Sequence, residues 1–256
     1  MALTILTDSI WIQLEEILVS KGCYKSKNNR NIMEAIFWKL RTGAQWRYIP
    51  KEFCSWSTAY NRFNRWAKKG LWDNFFFDVR TEIDTEWVSI DGSYIRAHQH
   101  ASGARRGEYR AIGKSRGGPT TKIHMATDAL GNPLYIEITG GQVHDSQVAK
   151  TIIENIEAES LLADKGYDSE KIREKAREKN IIPMIPRRSN SKKPNPELDQ
   201  QIYKARHQVE NIFARLKHFR SIATRFEKLA RNFKAVVTLA CTYIWLKLMT
   251  PERSTK

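Results

Sequence analysis

The chain has 256 residues, room for one large domain or for a small domain followed by a medium one. Its 41% hydrophobic residues, with 8 Trp and 10 Phe, suffice for a packed core. Lys and Arg outnumber Asp and Glu by 43 to 28, a net charge of +15. Solvation does not need that excess, and nucleic acid, ahead of a membrane surface, is the commonest polyanion it serves.

The N-terminus, MALTILTDSIW, lacks a basic segment leading into an apolar run, so no signal peptide is expected. Cys23, Cys54 and Cys241 are scattered, without metal-ligand spacing, and read as thiols of a reducing, cytoplasmic compartment. The pattern up to residue 84 is helical. Helices are expected from Thr7 to Lys21 and from Asn29 to Thr42, the second stopped by Gly43. After a turn-rich stretch with Pro50, a third begins around Ser55 and ends before Gly70. Its apolar side carries Trp56, Ala59, Tyr60, Phe63 and Trp66; its other side presents Asn61, Arg62 and Arg65. That is a helix-turn-helix-like arrangement with a candidate recognition helix, the alternative being a solvated basic face.

After Glu86 the pattern changes. WVSID reads as a short strand, and TKIHMATDA and PLYIEIT as a hairpin around Gly131-Asn132. A helix (146 to 156), a strand (SLLAD), a helix (169 to 179), a strand (IIPMI) and a long uninterrupted helix from Glu197 to Arg220 follow. A last helix covers 232 to 248; its apolar run AVVTLACTYIWLKLM is too short to span a bilayer. The order is that of an α/β domain on a mixed sheet, giving a helical domain over 1–84 and an α/β domain over 85–256. Between its first two strands, residues 101–118 are glycine-rich and carry Arg105, Arg106, Arg110, Lys114 and Arg116, a mobile basic loop.

Two acids hold matched places in this order. Asp91 is expected to end the first strand and Asp164 the fourth, so parallel neighbours would set both carboxylates at one sheet edge. On the long helix, Tyr203, Arg206, Glu210 and Lys217 fall within an arc of about 60° on the flank of the apolar stripe. Glu210 is either the i,i+4 partner of Arg206 or the third carboxylate of a pocket. Three carboxylates suit Mg²⁺ or Mn²⁺, and two such ions can promote an in-line phosphodiester displacement.

SIDGSYIRAHQH, LLADKGYDS and YKARHQVENIFARLK together resemble the Asp-Asp-Glu (DDE) transposases of bacterial insertion sequences, of the insertion-sequence-five type. The third matches that family's Tyr-x2-Arg-x3-Glu-x6-Lys signature at every named position, and FWKLRTGAQWRYIPKEFCSWSTAYNRFNRWAKKGLW resembles its helical N-terminal domain. The resemblance covers nearly the whole chain. It implies an RNase H-like catalytic domain in which Asp91, Asp164 and Glu210 bind two Mg²⁺ or Mn²⁺ ions. It further implies that Arg206 and Lys217 contact DNA phosphates near the scissile bond and that Tyr203 positions a terminal nucleotide. His98 and His100 read as substrate contacts or solvated side chains, with metal ligation as the alternative. Tyr167 and Asp168 read as residues that shape a turn and cap the next helix.

The activity implied is cleavage at the element's terminal inverted repeats, followed by attack of the freed 3′ hydroxyl on target duplex. Two ends must meet, so a homodimer or larger assembly is expected, with no role for a membrane. Two other readings share these features: an RNase H-like metal-dependent nuclease without strand transfer, and a non-catalytic DNA-binding protein.

Overall fold

A computed structural model of the protein describes residues 4–103 and 108–249. In chain order it holds α1 (Asp8–Ser20), α2 (Asn29–Thr42), α3 (Trp56–Lys68), α4 (Leu71–Asp78), β1 (Trp87–Ala97), β2 (Gly113–Ser115), β3 (Gly118–Thr127) and β4 (Pro133–Gly140). Then follow α5 (Asp145–Glu154), β5 (Ser160–Leu162), α6 (Glu170–Glu178), β6 (Ile182–Met184), α7 (Gln200–Tyr203), α8 (His207–Lys217), α9 (Arg220–Ala223) and α10 (Ala230–Met249). Among the described residues, no helix is long and apolar enough to cross a membrane.

Contacts divide the chain into residues 1–81 with 216–256, and residues 82–215. The described residues of the first unit are mainly helical. Thr7 and Ser55 cap α1 and α3 by accepting from Ile10 N–H and Thr58 N–H. Gly43 ends α2 at φ +69°, a conformation that would strain any side chain. The apolar side of α3 buries Ala59, Phe63 and Trp66, whereas Trp56 stays exposed. The segment LWDNFFFD, in the stretch expected to be helical but given no bounds of its own, forms α4. Its Trp72 and Phe75 stack with Trp66, ring centroids 5.2 to 5.8 Å apart. Burial of each such ring is worth roughly 1.5–3 kcal/mol.

α2 and α3 pack together, but residues 43–55 connect them, a longer link than the short turn of a helix-turn-helix. α10, expected with the α/β part, packs instead on α4, α3 and α1. A buried ion pair braces this unit: Lys39 Nζ lies 2.7 Å from Glu227 Oε1 and also donates to Ser221.

The second unit is a mixed sheet with helices. β4, β3 and β1 pair antiparallel in that order, and β5 and β6 continue parallel to β1. This β4-β3-β1-β5-β6 order is the RNase H-like arrangement that the resemblance implied. β2 pairs with the start of β3, so the stretch expected to be a mobile loop contains a strand, with Lys114 on it. The helix expected from 197 to 220 is not continuous: α7 tightens to a 3₁₀ turn at Lys204–Arg206 before α8, and a break precedes α9.

Candidate active site

Asp91 does not end its strand. β1 runs eleven residues, Asp91 is the fifth, and pairing with β3 continues to Arg96↔Thr120. The Asp91-Gly92 pair, expected at the strand's end, stays extended because β3 supplies partners on that side. The parallel register explains the match with Asp164. Ser89 pairs with Leu162, and Asp91 and Asp164 each lie two residues further on. Past β5 the chain bends, and Asp164 caps the turn Lys165–Tyr167 by accepting from Gly166 N–H at 2.8 Å.

Asp91 Oδ1 accepts from Gly92 N–H at 2.7 Å. Burial pushes its carboxyl above the ordinary aspartate range against the pull of Gly92 N–H and Arg206, and the charges of Asp164 and Asp145 add to the rise. Arg206 bridges two acids: Nη1 lies 3.4 Å from Asp91 Oδ2 and Nη2 lies 2.5 Å from Glu210 Oε1. Burial alone would loosen the Arg206 proton, but the Glu210 hydrogen bond and the charges of Tyr203, Glu210 and Asp91 hold it more tightly than usual. Glu210 is therefore both the i,i+4 partner of Arg206 and joined to Asp91 through it.

Tyr203 is half-buried. Burial raises its hydroxyl above the ordinary value, against the Arg206 charge, and Asp164 and Asp91 are close enough to add to the rise. Among the described residues, no three His, Cys, Asp or Glu side chains are gathered closely enough to enclose a metal ion as they stand.

The other expected residues are dispersed. Lys217 closes α8, exposed, and belongs by contact to the first unit. Asn61, Arg62 and Arg65 are also in that unit, Asn61 and Arg65 exposed and Arg62 half-buried. Arg105 and Arg106 lie outside the described residues. Arg110 donates to Ser102 O at 3.0 Å, and Lys114 and Arg116 are exposed on and beside β2. His98 and His100 stack at 4.6 Å, and His98 Nδ1 accepts from His100 N–H.

Sequence reasoning did not single out Lys122, His124 and Asp145, which gather around Gly92, or the electrostatic setting of Tyr167. Asp145 opens α5, and its Oδ2 accepts from Lys122 Nζ at 3.1 Å. His124 Nδ1 approaches Asp145 Oδ1 at 3.1 Å without aligning as a hydrogen bond, while its Nε2 pairs with Thr139 Oγ1 at 2.8 Å. Burial opposes ionisation of Asp145, but His124 and Lys122 outweigh it and hold the carboxyl below the usual range. Among the described residues, the buried Tyr167 hydroxyl has no hydrogen-bond partner. Burial, then the charges of Asp145, Asp91 and Asp164, pushes it well above the ordinary tyrosine value. The available signal was the alternation in TKIHMATD, which puts Lys122 and His124 on one face of β3, opposite Tyr94 and Gly92 of β1.

Residues 84–245 match the family described as Transposase DDE domain, and residues 6–76 match Putative transposase of IS4/5 family. The chain belongs to the DDE transposases. A putative transposase for insertion sequence element IS6501 of Brucella ovis is 36% identical over 133 residues, covering 50% of this chain and 99% of that one. An uncharacterised protein, y4sN, of Sinorhizobium fredii is 39% identical over 79 residues, or 31% of this transposase and 63% of its relative. Among solved structures, a pre-cleavage Mos1 transpososome aligns over 88% of this transposase and 80% of that chain, at 12% identity and a TM-score of 0.28.

Proposed function

We propose that this transposase cuts phosphodiesters at the ends of an insertion sequence and joins the freed 3′ ends to target DNA, with Asp91, Asp164 and Glu210 as its metal-binding carboxylates. One observation carries the reading. The β1–β5 register sets Asp91 and Asp164 at equivalent positions, and Arg206 ties Asp91 to Glu210. The donors fit Mg²⁺ or Mn²⁺ in kind, since all are carboxylate oxygens. The setting fits in charge, since burial disfavours the Asp91 anion and a guanidinium already bridges two of the three acids. Two divalent ions bound there supply Lewis acidity to the attacking and leaving oxygens of the phosphodiester.

The protein's own part is placement. Asp91 stands on a strand paired on both sides and Asp164 on a capped turn beside it, while Glu210 is carried on α8. With Asp91 and Glu210 holding metal, the Arg206 guanidinium would be available to a DNA phosphate, a role proposed also for Lys217, and Tyr203 would position the terminal nucleotide. The helical unit binds DNA at the element's ends through α3, which carries Asn61, Arg62 and Arg65. Arg105, Arg106, Arg110, Lys114 and Arg116 hold the duplex. No side chain becomes linked to DNA. Two ends require at least a homodimer, and the reaction belongs in the bacterial cytoplasm with the chromosome.

The test is incubation of the full chain with duplexes carrying the element's flanking ends and Mg²⁺, with nicks and joined products mapped. Nicks at the ends with joined products support the proposal. Nicks alone would return the nuclease reading, and neither product the non-catalytic one.

A further inference from the structure

The first unit contains a cavity of about 310 Å³ that the catalytic reading does not use. It arises where α1 ends. Gly22 N–H donates to Val19 O and Cys23 N–H to Leu18 O, both at 2.9 Å, with Gly22 at φ +72°. This Schellman turn satisfies the last carbonyls of α1 and leads the chain across to α3. Cys23 and Tyr24 then form one wall, and Arg62, Arg65, Trp66 and Lys69 the other. Arg62, Arg65 and Lys69 lie at i, i+3 and i+7, within about 60° of one another on the helix.

The lining holds three cations and no acid. Although burial dominates and raises the Cys23 thiol, all three cations pull it downward, so their fields converge on one point. Arg62 is loosened first by burial and then by repulsion from Arg65. Among the described residues, none of the three forms an ion pair that would relieve this crowding. Arg62 is nonetheless held in place. Its Nη1 donates to Asn29 Oδ1 at 3.1 Å and its guanidinium lies 5.2 Å over the Trp66 ring. Asn29, 2% exposed, also donates to Tyr24 O at 2.8 Å, so one buried amide braces both walls.

Positioned like charges without a counterion are stabilised by an anion, and a guanidinium fork beside a lysine suits a tetrahedral oxyanion. Tyr24, 86% exposed at the rim, offers a flat face to the sugar or base attached to it. We propose that this cavity seats a backbone phosphate of duplex DNA, held by Arg62, Arg65 and Lys69. The helical unit thus grips DNA here without reading sequence. Arg62, on the polar side of the candidate recognition helix, is drawn back onto Trp66 and Asn29 and serves the backbone. The proposal rests on the reading that the protein acts on duplex DNA, but not on the catalytic carboxylates.

Cys23 reports occupancy directly. Its alkylation by neutral iodoacetamide in the full chain is followed by peptide mass analysis, with Cys54 as internal reference. The conditions are no addition, inorganic phosphate, a random duplex and an end duplex. Both duplexes should slow Cys23 labelling several-fold and leave Cys54 unchanged. In Arg65→Gln/Lys69→Gln, protection should disappear, and affinity for both duplexes should fall alike. The slope of log K against log salt should flatten by about 0.9 for the one phosphate released. Both residues are exposed, so the fold should survive, which a melting curve checks. Unchanged labelling under saturating duplex would overturn the proposal, as would protection by inorganic phosphate alone. A loss confined to end duplex would also overturn it, returning these residues to base reading. A chain whose Cys23 is protected but which cuts no DNA keeps this inference and loses the catalytic one.

Discussion

Asp91 and Asp145 are neighbouring aspartates with opposite responses to folding. Asp91 is raised by burial, so its stability contribution is full below the ordinary aspartate value of 3.8 and is lost as pH rises through its folded value. Asp145 is depressed by His124 and Lys122, so its contribution is present above that value and is lost as pH falls through its folded one. In metal-free protein, Asp91→Asn should therefore be more stable than the parent at neutral pH, the gain vanishing on acidification. Asp145→Asn should be less stable at neutral pH by about 2 kcal/mol, below the 3–5 typical of a broken fully buried pair because Asp145 is partly open. Urea titrations from pH 3 to 8 check both signs. Gly92 links the pair: a Cβ there would overlap Asp145 Oδ1. Gly92→Ala should lower the cleavage rate at least tenfold with little loss of end binding, read by a single-turnover assay beside a mobility shift.

At the scale of elements, the turn bearing Asp164 is secured from behind by Arg173 of α6. Arg173 is fully buried, and its guanidinium donates to Asp168 Oδ1, Pro183 O, Ile185 O and Asn195 Oδ1. Arg173→Met withdraws this donor from all four acceptors, although Asp168 keeps Arg187 and Ile185 O keeps Asn195, and should cost about 3 kcal/mol in denaturant unfolding, with cleavage falling as Asp164 loses its support. Local signals made several of these elements legible in advance. Gly43 stops α2, Ser55 caps α3, and strand-helix alternation announced the sheet. Other features depend on distant partners. Asp91-Gly92 looks like a turn until β3 is known to pair through it. α10 carries no local mark of packing on α4 rather than beside the sheet. LWDNFFFD is too short and too evenly apolar for helical periodicity to declare α4. The three acids were legible as motifs, but the Lys122–His124–Asp145 cluster was not, because its members meet only through β3 and α5.

For the whole molecule, the net charge of +15 predicts DNA affinity that falls steeply with salt. Neutralising Arg105, Arg106, Arg110, Lys114 and Arg116 should flatten that dependence by about 0.9 for each DNA phosphate these side chains had neutralised. An unchanged slope would remove these residues from the DNA interface. Catalysis, in contrast, should hinge on a single charge. The measurement that tests the account most directly is Mg²⁺-dependent strand cleavage of element-end duplex by folded Glu210→Gln, beside the parent chain. The substitution keeps the side chain's shape and removes the charge needed to hold metal. Cleavage should fall by orders of magnitude while end binding persists, and Asp91→Asn or Asp164→Asn should add nothing further to the loss. If Glu210 serves only as the partner of Arg206, the change should cost about half a kcal/mol of stability and leave cleavage nearly intact. That result would contradict the assignment of Glu210 to the active site.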